Sequence, residues 1–253
     1  MQAPSTETIR TQLAHRTIRA FTTDRLPEPV VDTLMEVARH APTSSFYQQT
    51  TIIRITDPAT RHEVYEASGQ PYVDGTRGEL FVFVIDLYRN ARIREAAGVD
   101  TAPLETTALF LQGAEDTLLA AQNVVVAAES LGLGTVYLGS IAGDPARVIQ
   151  ALDLPERTYP LVGMLIGYPD QSPQLKPRLP RKITQGVNRY PSFDAVTTDL
   201  SEYDSVVTDY YDLRDQGARL DSFTHQIRTK LGTGRAERSP IREVLTAQKL
   251  ALR

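Results

Sequence analysis

The sequence has no cysteine and no tryptophan among its 253 residues. Without cysteine there can be no disulfide, no thiolate metal site and no thiol nucleophile. Such a chain suits a reducing compartment, and the expected location is the cytoplasm. Without tryptophan, any aromatic wall around a ligand must use the 7 phenylalanines and 11 tyrosines. The histidines His15, His40, His62 and His225 are scattered, with no His-x-x-x-His and no paired carboxylate, so no metal site is expected. A Gly-x-Ser-x-Gly elbow and a Walker loop are both missing, and the Gly132/Gly134 pair lacks the third glycine of a dinucleotide fingerprint. The apolar stretches around residues 118–128 and 80–85 are too short or too interrupted to span a bilayer. The opening MQAPSTETIR has no apolar core of the kind a signal peptide needs. A formal net charge of -4 gives no chain-wide basic surface, so neither nucleic acid nor membrane is an expected partner.

What is present is a 41% hydrophobic chain, long enough to bury one full core. Residues 6–14 have weak helical spacing. Pro27-Glu28-Pro29 reads as a helix start, followed by Val30, Val31, Leu34, Val37 and Ala38 at helical spacing. Thr51-Ile52-Ile53-Arg54-Ile55 is a β-branched strand run. Asp57-Pro58 opens a helix through about Ala67 that Gly69-Gln70-Pro71 ends. Residues 80–85 are apolar on both faces and predict a central strand. Residues 106–131 predict the longest helix, apolar on more than one side and so buried on several faces. Gly132-Leu133-Gly134 stops it before a strand at 135–138. Asp144-Pro145 caps a helix through Leu152, and 161–166 is another buried strand. The proline-rich residues 169–191 predict an extended arm, and the polar tail from about Asp199 predicts two or three peripheral helices. The pattern is α+β.

Four places could bind a ligand. His15, Arg16, Thr17 and Arg19 form one basic stretch. Taken alone they fit a helix end, where cations offset the dipole, better than a phosphate site, where arginine can bind bidentately. Lys176-Pro177-Arg178 holds two cationic side chains on extended backbone, as a solvated loop or a second phosphate contact. Thr43-Ser44-Ser45 is a turn or a row of hydroxyl donors. Gln70 carries an amide that could read an imide edge.

In order along the chain, several segments carry a resemblance: His15-Arg16-Thr17-Ile18-Arg19-Ala20-Phe21, Ser44-Ser45-Phe46-Tyr47-Gln48, Ile52-Ile53-Arg54-Ile55-Thr56-Asp57 and Gly69-Gln70-Pro71-Tyr72-Val73. They continue with Ala121-Gln122-Asn123, Glu129-Ser130-Leu131-Gly132-Leu133-Gly134, Val136-Tyr137-Leu138-Gly139 and Leu175-Lys176-Pro177-Arg178-Leu179-Pro180. Over roughly residues 5–250 the chain resembles the oxygen-insensitive nitroreductase and flavin reductase family, in its NADPH-preferring branch. The resemblance implies a nitroreductase-like fold: a central mixed, mostly antiparallel sheet flanked by helices, with a C-terminal helical excursion, in a homodimer. Residues 1–195 would be the FMN-binding core and 196–253 a C-terminal extension.

The resemblance further implies bound FMN and NADPH as co-substrate. His15, Arg16 and Thr17 would line the FMN phosphate and ribityl chain, with Lys176 and Arg178 on the other side of the phosphate. Arg19 and Gln70 would reach the pyrimidine edge. Thr43, Ser44 and Ser45 would come from the partner subunit, and Gln48 belongs to the same cofactor set. Tyr137, Leu138, Gly139 and Ser140 would run along the ring. Arg214 and Arg219, after Tyr210-Tyr211, would take the extra phosphate of NADPH. Thr17 stands where the family usually has serine, which keeps the hydroxyl. Thr43 and Ser140 replace residues that are often Ser and Gly, and Ser140 adds bulk beside the flavin. The implied activity is reduction of small planar acceptors (nitroaromatics, quinones or free flavin) by ping-pong hydride transfer, with no protein nucleophile, acid or base required. The alternatives are a flavin reductase that supplies reduced FMN to a partner monooxygenase, and a flavin-binding protein without turnover.

Overall fold

The computed structural model describes residues 5–193, 195–215, 221–231 and 239–253. The chain forms two compact units, residues 1–172 with 239–253, and residues 173–238. The first holds a four-stranded sheet of β1 (Thr50–Ile55), β2 (Glu79–Asp86), β3 (Gly134–Leu138) and β4 (Thr158–Gly167), in the order β1-β2-β4-β3. All three strand pairings are antiparallel. Among the described residues, the parallel component expected of the sheet is one bridge outside these strands, Thr17 to Thr135.

β2 and β4 are the central strands, and β2 is buried from Leu80 to Asp86. Strand side chains alternate between faces, and this alternation splits the core. Phe81, Phe83, Met164 and Ile166 pack on one face with α2 (Glu28–Arg39) and α5 (Thr107–Ser130). Leu80, Val82, Val84 and Leu165 pack on the other. That face is covered by α3 (Pro58–Ser68), whose Val64 and Ala67 are in the cluster, and by α6 (Pro145–Ala151) through Val148. Each such fully buried large side chain contributes roughly 1.5–3 kcal/mol.

The helix boundaries follow local chemistry. Asp57 caps α3 by accepting the Thr60 N–H at 2.7 Å, and Gly69 ends it at φ 61°, a conformation that favours glycine. Asp144 caps α6 through the Arg147 N–H at 3.1 Å. The short helix α1 (Glu7–Leu13) starts at Thr6. Helix α4 (Tyr88–Ala96) is absent from the sequence expectations for a physical reason: it buries only Ala91, so it carries no apolar stripe to detect.

α5 differs from expectation within one chain. Its buried residues, Gly113, Asp116, Thr117, Ala120, Ala121, Val124, Val125 and Ala128, form one side. Leu111, Leu118 and Leu119 are exposed, so the second apolar side is bare.

The second unit contains the one-turn helix α7 (Arg181–Thr184), α8 (Val196–Asp215) and α9 (Phe223–Lys230). The proline-rich stretch is thus irregular except for α7. Tyr203 on α8 and Phe223 meet edge to face at 5.5 Å, and Asp204 accepts the Thr224 N–H at 2.9 Å. The last helix, α10 (Ile241–Ala247), is not peripheral. It belongs to the first unit, where Val244 and Leu250 pack with Ile85, Leu87 and Tyr159.

Candidate functional site

One core cluster gathers three of the predicted ligand segments. Ile18, Phe21, Val73, Val136, Leu138 and Ile141 are all buried in the cluster on the α3 face of the sheet. Their chain neighbours His15, Arg16, Thr17, Arg19, Gln70, Tyr137, Gly139 and Ser140 lie on the chain just outside that cluster. The 15–21 segment runs along β3, with the Ile18 N–H donating to the Thr135 carbonyl at 2.9 Å. Gly134 makes this approach possible. A Cβ there would lie 2.7–2.9 Å from three carbons of Ile18, closer than real contacts allow.

Hydrogen bonds hold the polar side chains. His15 Nδ1 is 2.5 Å from Glu129 Oε1, and the Thr135 hydroxyl donates to the same oxygen at 3.4 Å. The Arg16 Nη1 donates to the Ala14 carbonyl at 2.9 Å, while its Nε is buried with no partner among the described residues. Tyr137 donates its hydroxyl to Gln122 Oε1 at 3.2 Å. Burial first, and the nearby Glu129 carboxylate second, push the Tyr137 phenol well above its ordinary range, so it stays protonated. Arg19 is exposed and Gln70 half-buried. A Cβ at Gly139 would meet nothing within 4 Å, so the chain is open beside Ser140.

The Gln70 loop is tied to the same wall. Arg61 on α3, only 7% exposed, donates to the carbonyls of Val73, Gly78 and Arg77 at 2.7, 2.8 and 2.7 Å. Burial pulls its guanidinium below the usual arginine range, and the three carbonyls are what make the buried cation tolerable. Arg77 in turn donates to the Phe21 carbonyl at 3.1 Å.

The Thr43-Ser44-Ser45 turn and Gln48 sit elsewhere. The Ser44 N–H donates to Asp116 on α5 at 2.9 Å, whereas His15 meets Glu129, 13 residues further along the same helix. At 1.5 Å per residue the two anchor points are about 20 Å apart. One chain therefore does not bring the turn to the His15–Arg19 wall. Lys176 and Arg178 are exposed in the second unit, where Arg178 bonds the Lys176 carbonyl at 3.0 Å. Arg219 and the Arg214 side chain lie outside the described residues.

Sequence reasoning gave no role to Glu129, Asp116, Gln122 or Arg61. Two of them carried a signal. An acid in the last turn of a helix, like Glu129, opposes the dipole and needs a reason. An acid at helical spacing with Gly113, Ala120 and Val124, like Asp116, shares their apolar face and needs a buried donor.

The model of the nitroreductase family matches residues 13–168, and that of its C-terminal domain matches residues 176–253. An NADPH-dependent oxidoreductase of Staphylococcus saprophyticus is 41% identical over 217 residues, covering 84% of this chain and 86% of its own. An FMN reductase (NADPH) of Bacillus subtilis is 39% identical over 223 residues, covering 87% and 89%. The structure of B. megaterium NfrA1 superposes with a TM-score of 0.92 at 34% identity, covering 97% of this chain and 100% of that one. The chain belongs to the nitroreductase family.

Proposed function

We propose that the chain is an NADPH-dependent, FMN-containing oxidoreductase that reduces nitroaromatics, quinones or free flavin. The observation that carries the assignment is Arg16. Its Nε is a buried donor without a partner among the described residues, on a segment with His15 and Thr17, and a phosphate monoester would supply the missing acceptor. The family resemblance adds Lys176 and Arg178 to the residues that would bind the phosphate. Arg19 and Gln70 would bind the pyrimidine edge of FMN, and Tyr137, Leu138, Gly139 and Ser140 would line its ring.

The FMN, when bound, supplies two-electron chemistry, taking hydride from NADPH and passing electrons to an acceptor in ping-pong order. The chain's own residues position and polarise. Arg19 offers fixed positive charge where negative charge gathers on reduction. Tyr137 is held protonated and, with Gln122, keeps its hydroxyl engaged. Arg61 holds the loop that carries Gln70. Arg214 and Arg219 recognise the extra phosphate of NADPH. No side chain is needed as nucleophile, acid or base.

The working unit is a homodimer in the cytoplasm. The separation of about 20 Å between the His15 wall and the Ser44 turn is resolved when a second copy presents its Thr43, Ser44, Ser45 and Gln48. The exposed Leu111, Leu118 and Leu119 of α5 supply an apolar seam for that copy. None of the described helices is long and apolar enough to cross a membrane. Residues 1–195 act as the flavin-binding core and 196–253 as its extension, whose last helix, α10, packs back into the first unit.

Purified protein is expected to carry one FMN per chain, and Arg16→Ala to release it on dilution with little change in the apoprotein's melting temperature. Tight FMN binding by Arg16→Ala would refute the phosphate assignment. A second reading, supply of reduced FMN to a partner monooxygenase, is favoured by the name of the relative, FMN reductase (NADPH). It requires reduced FMN to leave during turnover.

A further inference from the structure

The turn between α2 and β1 is strained. Ser45, Phe46 and Gln48 have φ of 53°, 59° and 51°, a region that L side chains rarely adopt. Three non-glycine residues among four in that region persist only when their surroundings hold them. The holding groups come from two directions. On one side, Asp116 of α5 accepts the Ser44 N–H at 2.9 Å. On the other, Arg89 Nη2 donates to the carbonyls of Gln48 and Thr50 at 3.0 and 3.1 Å. Arg89 is itself oriented by Asp86, which lies 3.3 Å from Nη1 and accepts the Arg89 N–H at 3.1 Å.

Asp116 is an expensive anchor. It is 1% exposed, and its Oδ2 has no partner among the described residues. A buried carboxylate with one bare oxygen works against folding. The side chain's contribution is therefore the oxygen it offers to the Ser44 N–H rather than stability.

We propose that Asp116 and Arg89 are positioning residues that clamp the 43–48 turn in its strained form, so that a second copy of this chain receives its hydroxyl donors at the flavin in fixed geometry. The inference rests on the reading that the turn serves the partner's site.

The test uses FMN-loaded protein. Asp116→Ala is expected to weaken FMN binding by roughly tenfold or more, while the apoprotein melts at the same temperature or higher. Asp116→Asn, which keeps a carbonyl oxygen for the Ser44 N–H, is expected to bind FMN nearly as the parent does. Arg89→Met is expected to weaken FMN binding, with partial recovery in Arg89→Lys. A purified heterodimer of one Asp116→Ala copy and one Arg16→Ala copy then distinguishes the subunits. A turn acting across the interface leaves one site of the heterodimer with parental affinity. Parental FMN affinity in Asp116→Ala would overturn the clamp alone. So would loss of affinity in step with loss of apoprotein stability and without rescue by Asp116→Asn. A heterodimer with no parental site would overturn the partner reading, and the proposal with it.

Discussion

Replacing Gly134 with alanine tests whether β3 sets the position of the proposed phosphate-binding segment. The new methyl carbon would lie 2.7 Å from Ile18 Cγ1, 2.8 Å from its Cβ and 2.9 Å from its Cγ2. Ordinary contact begins near 3.4 Å, so Ile18 must retreat by several tenths of an ångström. Ile18 is only 6% exposed and packed in the α3-side core, so it has little room. Overpacking of this kind costs about 1–3 kcal/mol, or a fall in melting temperature of roughly 2–12 °C for a chain of this size. The retreat also stretches the 2.9 Å bond from the Ile18 N–H to Thr135 and carries Arg16 and Thr17 with it. Losing even one charge-assisted contact to phosphate lowers affinity by about tenfold or more. FMN fluorescence quenching and apoprotein melting measure the two effects. Adding Ile18→Ala removes two of the three clashing carbons and should restore part of the affinity, although it leaves the Cβ at 2.8 Å. A Gly134→Ala protein with parental melting and parental FMN affinity would refute the packing argument.

Three other outcomes are expected. Arg61→Met strips the donor from the carbonyls of Val73, Arg77 and Gly78 and should cost about 3 kcal/mol in urea unfolding, with weaker FMN binding because Gln70 shares the loop. Burial pushes the Tyr159 phenol up to about 12 from 10.0. This group is protonated in the fold, so its contribution is complete below pH 10.0 and is lost as pH rises towards about 12. Alkaline unfolding of Tyr159→Phe should therefore show a shallower slope in that window. Arg214→Ala should raise the KM for NADPH far more than that for NADH, and equal effects on both would remove Arg214 from the phosphate site.

Much of the fold was legible because it rests on patterns that survive in one dimension. The continuous apolar run of β2, the Asp-Pro starts of α3 and α6, and the length of α5 are such patterns. α4 was not legible, because a helix that buries one alanine leaves no periodicity. α10 looked peripheral because it ends a polar tail, and only the tertiary fold shows that Val244 and Leu250 complete a core. The proposed ligand residues were visible as types, including the basic 15–19 stretch, the hydroxyl turn and Gln70. Their supports were not. Glu129 meets His15 across 114 residues of sequence, and Asp116 meets Ser44 across 72. Sequence spacing alone does not encode such pairings, nor the distance along α5 that separates the turn from the wall.

The central assignment is electron transfer from NADPH to an acceptor through FMN held by this chain. Anaerobic mixing of the purified protein with one equivalent of NADPH tests it most directly. The visible flavin band should bleach rapidly, NADP should form in matching amount, and a nitroaromatic or quinone added after removal of nucleotide should restore the band. A protein that binds FMN but keeps its oxidised spectrum under NADPH would contradict the assignment and leave a flavin-binding protein without turnover.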